Sequence, residues 1–387
     1  CIVHRYVILL CVQEVSSCGI VGLLCFFFQA EDGIRDLVRS RGLGDVYKRQ
    51  PRIRTIGRNN MRTKEPTTPP MATDPQPGPE ALRQRRIALE REREAVMARR
   101  ARKDLYHNGL LFPEFWLEKL VNLSGLRARG EQNARNFQLR EFAFAFENLP
   151  PAFDGFRILH LSDMHFRDED PAFVQELCAF LAPIEADFCA FTGDYRYAFT
   201  GPCEHVFDGM QRLLHTLTPR CGSAAVLGNH DLAAFVRPFR DMGLPVLMNE
   251  HYALDLRGDR VWVAGVDDPH RYRCDDLPRA TRGIPEGGFT ILLAHTPELA
   301  RIAPDYGVDL YLCGHTHGGQ VCLPGGKPIL LNARAARKYC AGLWQNGRTR
   351  GYTTAGLGTT DVPVRFHCPP EAALLRLRRA PARKTRD

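Results

Sequence analysis

From Phe137 onward the chain reads as short apolar runs, each closing on a polar cluster. The run FQLREFAFAF alternates with a period of two and puts Phe142, Phe144 and Phe146 on one face, as a half-buried strand requires. FRILHLSD, DFCAFTGD, SAAVLGNHD, VWVAGVDD, FTILLAH and LYLCGHTH follow, and each predicts a buried strand running into Asp, His or Asn. Helix-length stretches at residues 171–182, 202–216 and 232–242 separate several of them. Strands alternating with helices predict a layered α/β fold with function at the strand ends.

Upstream the pattern is different. Residues 7–28 are largely apolar, but Gln13, Glu14, Ser16 and Ser17 interrupt them. The unbroken run 18–28 is far short of the roughly 20 residues that a spanning helix needs, so no membrane span is predicted. Residues 26–50, FFFQAEDGIRDLVRSRGLGDVYKRQ, resemble the translation of a sequencing-adapter read-through. Residues 1–60 are therefore read as a non-native leader, with Met61 or Met71 as the natural start. Pro and Thr dominate residues 61–80, which read as a disordered leader.

Residues 80–103 are dense in Arg, Glu and Ala and predict a charged helix. It reads either as a solvated helix laced with i,i+4 charge pairs or as an Arg-rich face for acidic lipid headgroups. In residues 110–126, LLFPEFWLEKLVNLSGL, Pro113 suits a first helical turn, and Phe112, Phe115, Trp116, Leu120 and Leu123 make an apolar stripe. Such a helix docks on the body of the protein or lies peripherally in a membrane interface. The resulting domain plan is a leader over 1–60, a disordered segment with two helices over 61–136, a catalytic domain over 137–380 and a basic tail over 381–387.

Composition narrows the function classes. The 387 residues are 44% hydrophobic and 25% charged, as in ordinary soluble globular proteins. The net charge of +8 comes entirely from residues 1–150, because residues 151–387 carry 27 groups of each sign. That balance argues against a nucleic-acid partner for the larger domain. Of 13 cysteines, four fall within the first 25 residues, and the rest are scattered singly without a C-x-x-C pair. Cys178, Cys189 and Cys313 sit inside apolar runs, where a thiol acts as a small hydrophobe. This pattern fits a reducing cytoplasm rather than a disulfide framework.

The polar clusters share one chemistry. Asp163 and His165 stand two residues apart after the first of these runs, Asp194 follows Gly193, and Gly228-Asn229-His230-Asp231 follows the next. His295 ends ILLA, and Gly314-His315-Thr316-His317 ends LYLC. Singly, each has a plain structural reading: His295 as a satisfied core histidine, Asp194 as a turn carboxylate, Asn229 or Asp231 as the cap of a helix from Leu232. Together, five strands ending in Asp, His or Asn supply the ligands that hold Mn²⁺, Fe or Zn²⁺, without fixing which. No cysteine takes part, which disfavours a structural zinc site.

In that order, D-x-H, G-D, G-N-H-D, a lone His and G-H-T-H resemble the calcineurin-like metallophosphoesterase superfamily over residues 137–378. The tail, GHTHGGQ followed by GYTTAGLGTTDVPVRFHCPPEAALLRL, is similar to its YkuE/YaeI-like branch, which includes enzymes resembling UDP-2,3-diacylglucosamine pyrophosphatases. The resemblance implies a four-layer α/β sandwich, with two mixed sheets flanked by helices and a dinuclear metal centre at the strand ends. It implies that Asp163, His165 and His317 bind one divalent ion, that Asn229, His295 and His315 bind the second, and that Asp194 bridges them. His230 then faces the substrate as proton donor or phosphate contact, oriented by Asp231. The implied reaction is hydrolysis of a phosphodiester or pyrophosphate bond by a hydroxide held between the ions.

Two departures from the family pattern fall at the pocket rim: Phe166-Arg167 after D-x-H, and Tyr195-Arg196-Tyr197 after G-D. Arg167 and Arg196 read equally as contacts to a second phosphate or as exposed loop arginines. Three functions remain open at this point: a hydrolase of a lipid-linked nucleotide working at a membrane face, a hydrolase of soluble phosphoesters, and a non-catalytic scaffold. The complete donor set and the presence of His230 weigh against the scaffold.

Overall fold

The computed structural model describes residues 78–103 and 113–381. Three helices come first: α1 (Pro79–Lys103), α2 (Pro113–Leu123) and α3 (Arg127–Asn133). Then follow β1 (Gln138–Phe146), β2 (Arg157–Leu161), α4 (Pro171–Leu181), β3 (Phe188–Phe191), α5 (Glu204–Thr216) and β4 (Ser223–Ala225). The second half contains α6 (Val236–Asp241), β5 (Glu250–Leu256), β6 (Asp259–Gly265), α7 (Leu277–Ala280), β7 (Thr290–Leu293) and β8 (Leu310–Cys313). A short hairpin of β9 (Cys322–Leu323) and β10 (Lys327–Pro328) precedes β11 (Gly342–Asn346), β12 (Thr349–Thr353) and β13 (Glu371–Arg379).

Two mixed sheets result. One has the order β1-β13-β2-β3-β4, the other β11-β12-β8-β7-β6-β5. β2, β3 and β4 run parallel, as do β6, β7, β8 and β12. Antiparallel partners sit around these parallel centres, β13 against β2, β11 against β12 and β5 against β6.

The period of two explains the layering. Ile158 of β2 joins Ile291, Leu293, Leu310 and Leu312 in the cluster between the sheets. Its neighbours Leu159 and Leu161 turn outward onto Phe173, Leu177 and Leu181 of α4 and Val206, Met210 and Leu213 of α5. Leu292, Tyr311 and Cys313 likewise turn outward onto Leu277 and Ala280 of α7. Helix, sheet, sheet and helix therefore stack in four layers, as the resemblance implies.

Local chemistry sets the helix bounds. Asp170 caps α4 by accepting the Phe173 amide at 3.3 Å, and Pro171 occupies the first turn. One face of α4 buries Phe173, Val174, Leu177 and Leu181. Truncating Leu177 to Ala would cost about 2–5 kcal/mol. Over residues 232–242 the helix is shorter than predicted, a 3₁₀ turn (Ala233–Phe235) leading into α6. The runs that close on Asp163, Asp194, Asn229, His295 and His315 bring those residues to one edge of the sandwich. The Asp163 amide donates to Gly193 O at 2.9 Å, and Gly314 N donates to His295 O at 2.8 Å.

The predicted leader over residues 1–60, the Pro- and Thr-rich stretch up to residue 77, residues 110–112 and the tail after residue 381 lie outside the described residues. So do the side chains of Phe115 and Trp116. The helix over 110–126 is found as α2 and docks: Val121 packs with Val321, Val362 and Val364, with Leu117 against them. Leu123 does not share that fate and is 84% exposed. Among the described residues no helix is long and apolar enough to cross a membrane, and all the cysteines are free thiols.

Candidate metal centre

Each donor is delivered by a tight turn at a strand's end. Asp163, His165, Asp194, His315 and His317 all adopt left-handed backbone with φ between 48° and 72°. For non-glycine residues that conformation costs about 1–3 kcal/mol apiece and clusters at functional sites. Two glycines make room for the turns. A Cβ on Gly228 would run into Asp194 Oδ1, and one on Gly314 would run into Asp163 Oδ2.

The side chains form two groups about one carboxylate oxygen. In the first, His165 Nε2 lies 3.1 Å from His317 Nε2, which lies 3.5 Å from Asp163 Oδ1. In the second, His295 Nε2 lies 3.1 Å from Asn229 Oδ1, and the His295 and His315 rings are 5.0 Å apart. Asp194 Oδ2 is 3.1 Å from His295 Nε2, 3.6 Å from His165 Nε2 and 3.9 Å from His230 Nε2. The other oxygen, Oδ1, accepts the His230 amide at 2.8 Å. A single oxygen of Asp194 thus faces both groups.

Second partners fix the rings. His295 Nδ1 is 2.7 Å from Thr192 O, His165 Nδ1 is 3.2 Å from Arg196 O, and His230 Nδ1 is 2.6 Å from Tyr197 O. Engaging Nδ1 on a carbonyl leaves Nε2 as the free donor atom, the usual arrangement around a metal. The Phe199 ring stacks on His230 at 3.8 Å, and Arg271 lies over Phe199 at 3.8 Å.

The electrostatics suit a divalent cation. Burial pushes His165 down to about 3, and holds His315 and His317 well below the ordinary imidazole value. These rings are neutral, as ligands must be. Burial opposes charge on His295 too, but Asp194, followed by Asp163 and Asp268, wins and raises it to about 10. Burial raises Asp163 to about 7. Asp194 is buried as well, yet His295, His230 and His165 hold it well below the carboxylate range. His315 Nε2 is buried with no hydrogen-bond partner among the described residues. Neutral nitrogens facing one another, an anionic centre and an orphaned ring nitrogen all fit divalent cations.

A cavity of about 220 Å³ opens over both groups, bounded on its polar side by Asp194, Asn229, His230, Arg271, His315 and His317. A second cavity of about 370 Å³ opens on the far side of His165 beside Arg135 and Arg167. The smaller one touches both donor groups, so it is the one in which chemistry at both can occur.

Residues 156–319 match the family described as calcineurin-like phosphoesterase. The chain is 32% identical over 241 residues to an uncharacterized metallophosphoesterase, YkuE, of Bacillus subtilis, covering 59% of this chain and 82% of the relative. It is 28% identical to the phosphodiesterase YaeI of Escherichia coli, over 61% of this chain and 85% of that one. This chain is a calcineurin-like metallophosphoesterase. It is accordingly a metal-dependent phosphoester hydrolase, of a family that binds two divalent ions, and its His/Asp clusters are able to hold them.

In this phosphoesterase the sandwich edge gathers all seven predicted ligands and His230. Three expectations need correction. Asp231 does not orient the His230 ring, which Tyr197 O holds instead. The Asp231 carboxylate accepts the amides of Gly228 at 2.7 Å, Asp194 at 2.8 Å and Tyr195 at 2.9 Å, tying two turns together. Nor does Asp231 or Asn229 cap the following helix, where no side-chain cap forms at Leu232.

Arg196 is the third correction. It is 1% exposed and spends its guanidinium on His230 O at 3.2 Å, Phe199 O at 2.7 Å and Cys203 Sγ, so it does not reach a substrate. Arg167 is half-buried over the Tyr197 ring and donates to Thr360 O at 2.9 Å. The arginine on the smaller cavity is Arg271, which carried no recognisable local signal in RYRCDD. Arg86 of α1 was also missed. It lies fully buried behind the Asn229–His230 turn, neither solvated nor facing lipid.

Proposed function

We propose that this protein hydrolyses phosphodiester or pyrophosphate bonds with two divalent ions, one on Asp163, His165 and His317, the other on Asn229, His295 and His315, with Asp194 between them. The observation that carries this reading is Asp194 Oδ2, faced by His165, His230 and His295 at 3.1–3.9 Å. When bound, such ions polarise phosphoryl oxygens and make water a nucleophile near neutral pH.

The protein's own residues do the rest. His230 presents Nε2 to the cavity because Tyr197 O occupies Nδ1. Burial keeps the ring neutral in the free protein. A substrate phosphate beside Nε2 favours its protonated form and readies it to give that proton to the leaving oxygen. Arg271, half-buried on the cavity wall, supplies charge-assisted bonds to a phosphoryl oxygen.

For the substrate we favour a phosphoester that carries an apolar group, a lipid-linked nucleotide such as UDP-2,3-diacylglucosamine. The same cavity is also lined by Leu117, Val321, Leu330 and Val362, and Leu117 belongs to α2, whose end leaves Leu123 exposed. An acyl chain matches such a wall, and peripheral membrane contact through residues 110–126 would deliver it. The domain over 137–380 is proposed as the catalytic unit.

The test is a panel with Mn²⁺: bis-p-nitrophenyl phosphate, p-nitrophenyl phosphate and UDP-2,3-diacylglucosamine. Release of UMP at a kcat/KM well above that for either nitrophenyl ester supports the lipid-nucleotide reading, and loss of vesicle co-sedimentation in Leu123→Asp supports membrane delivery. Turnover confined to the soluble esters refutes the lipid reading and leaves a hydrolase of soluble phosphoesters. No turnover with any of the three refutes the whole reading.

A further inference from the structure

A charged helix such as α1 ordinarily gains little from its i,i+4 pairs, about 0.2–0.5 kcal/mol each, because water competes for them. One pair in α1 is inside the protein. Arg86 is 0% exposed, and its Nε donates to Glu90 Oε1 at 2.8 Å. Burying a guanidinium is costly unless its charge and its nitrogens are paired. Here every nitrogen has a partner. One terminal nitrogen pairs with Asp267, the other donates to Gly228 O at 3.1 Å and Asp231 O at 2.9 Å, and the plane lies 3.7 Å over the Tyr272 ring.

These contacts converge on two active-site loops. Gly228 O and Asp231 O bracket Asn229 and His230, and Glu90 Oε1 accepts the Ala233 amide at 2.8 Å just beyond them. On the other side, Asp267 Oδ1 also accepts the Asp268 amide at 2.7 Å. The Asp268 carboxylate in turn accepts the amides of His270, Arg271 and Tyr272 at 2.6–3.0 Å. That second loop carries Arg271 on the cavity wall and His270, whose ring lies 4.3 Å from His315.

We propose that α1, which lies outside the family-matched residues 156–319, is a built-in clamp on the active site, with Arg86 as a positioning residue that sets Asn229, His230 and Arg271 in register. The inference rests on the roles proposed above for Asn229 and His230. Its first readout is therefore taken on metal-free protein without substrate, so that its failure is distinguishable from theirs.

The experiment compares Arg86→Met and Arg86→Lys with wild type in the full chain. Hydrogen–deuterium exchange of the metal-free proteins is expected to quicken in segments 228–233 and 267–272 while β3 and β7 stay protected. With Mn²⁺ and bis-p-nitrophenyl phosphate, kcat should fall about 10–100-fold in Arg86→Met, as small misplacements of reacting groups do. Arg86→Lys keeps the charge but not the fork, and should fall in between. Unchanged exchange in both loops overturns the clamp. Uniformly faster exchange through β3 and β7, with kcat per folded molecule unchanged, also overturns it, because Arg86 would then serve stability alone. Should Arg86→Met be insoluble, Arg86→Lys decides by the same two readouts.

Discussion

The donors at the strand ends and the arginines behind them are both buried, and for opposite reasons. The donors are held against their preferences: left-handed backbone, ring nitrogens facing ring nitrogens, and His315 Nε2 without a partner among the described residues. The arginines have a partner on every guanidinium nitrogen. Arg196 bonds His230 O and Phe199 O, Arg365 bonds Ala355 O at 2.8 Å and Gly358 O at 2.6 Å, and Arg86 bonds Gly228 O and Asp231 O. Most of these acceptors are carbonyls of the turns that carry, or lie against, the donors. The front layer is thus unsatisfied toward the cavity because the back layer satisfies the backbone that holds it. A pre-organised cation site needs both halves.

The largest break in this comparison comes from the front layer. Asp194→Asn should abolish turnover of bis-p-nitrophenyl phosphate and lower bound metal, because a neutral amide replaces the one anionic oxygen that both donor groups face. Elemental analysis finding two metals per chain in an active Asp194→Asn protein would remove Asp194 from the centre. His230→Ala should keep metal content and thermal stability near wild type, yet lose about 10²–10⁴ in kcat. If His230 protonates the leaving oxygen, the loss shrinks for p-nitrophenolate leaving groups. A loss equal across leaving groups makes it a phosphoryl contact instead, and loss of one metal makes it a ligand.

The two layers also differ in how far the sequence reveals them. Front-layer donors are local signals, a buried apolar run and then Asp, His or Asn within four residues, so the strand ends and the seven candidate donor positions were legible. The strands β2, β3, β4, β6, β7 and β8 were legible by the same runs. β5, β11 and β12 were not, since HYALDL, GLWQN and TRGYT pack against one neighbour at a sheet edge or carry polar residues throughout. Back-layer arginines look like any surface arginine until the chain is folded. The partners of Arg86 are 142, 145 and 181 residues away. Asp231 was misread for the same reason, since its acceptor role toward Asp194 and Tyr195 spans 36–37 residues.

Protons sharpen the description of the front layer. In the metal-free protein, His295 at about 10 carries a proton at pH 7.5, and Asp163 at about 7 is partly protonated. A cation displaces both, so metal binding should release protons. The sign follows: affinity for Mn²⁺ rises with pH from 6 toward 10, where His295 loses its proton unaided. Titration calorimetry of Mn²⁺ binding in buffers of different ionisation enthalpy checks this. A heat independent of the buffer would mean that His295 is already neutral, and that Asp194 does not face it in solution.

The smallest effect is expected at Arg167, which belongs to neither layer. It is partly exposed, donates to Thr359 O at 3.3 Å and Thr360 O at 2.9 Å, and rests 3.3 Å over the Tyr197 ring. It therefore braces Tyr197, whose carbonyl holds His230, but it does so through ring packing that a neutral side chain partly replaces. Arg167→Met should leave metal content unchanged and alter kcat for bis-p-nitrophenyl phosphate only a few-fold. For a pyrophosphate such as UDP-2,3-diacylglucosamine, a second phosphate extending past His165 toward the Arg167 cavity would meet this guanidinium, and KM should then rise about tenfold, as loss of one charge-assisted bond implies. Equal, few-fold changes on both substrates would assign Arg167 to bracing alone and take the second phosphate elsewhere, with Arg271 the next residue to test.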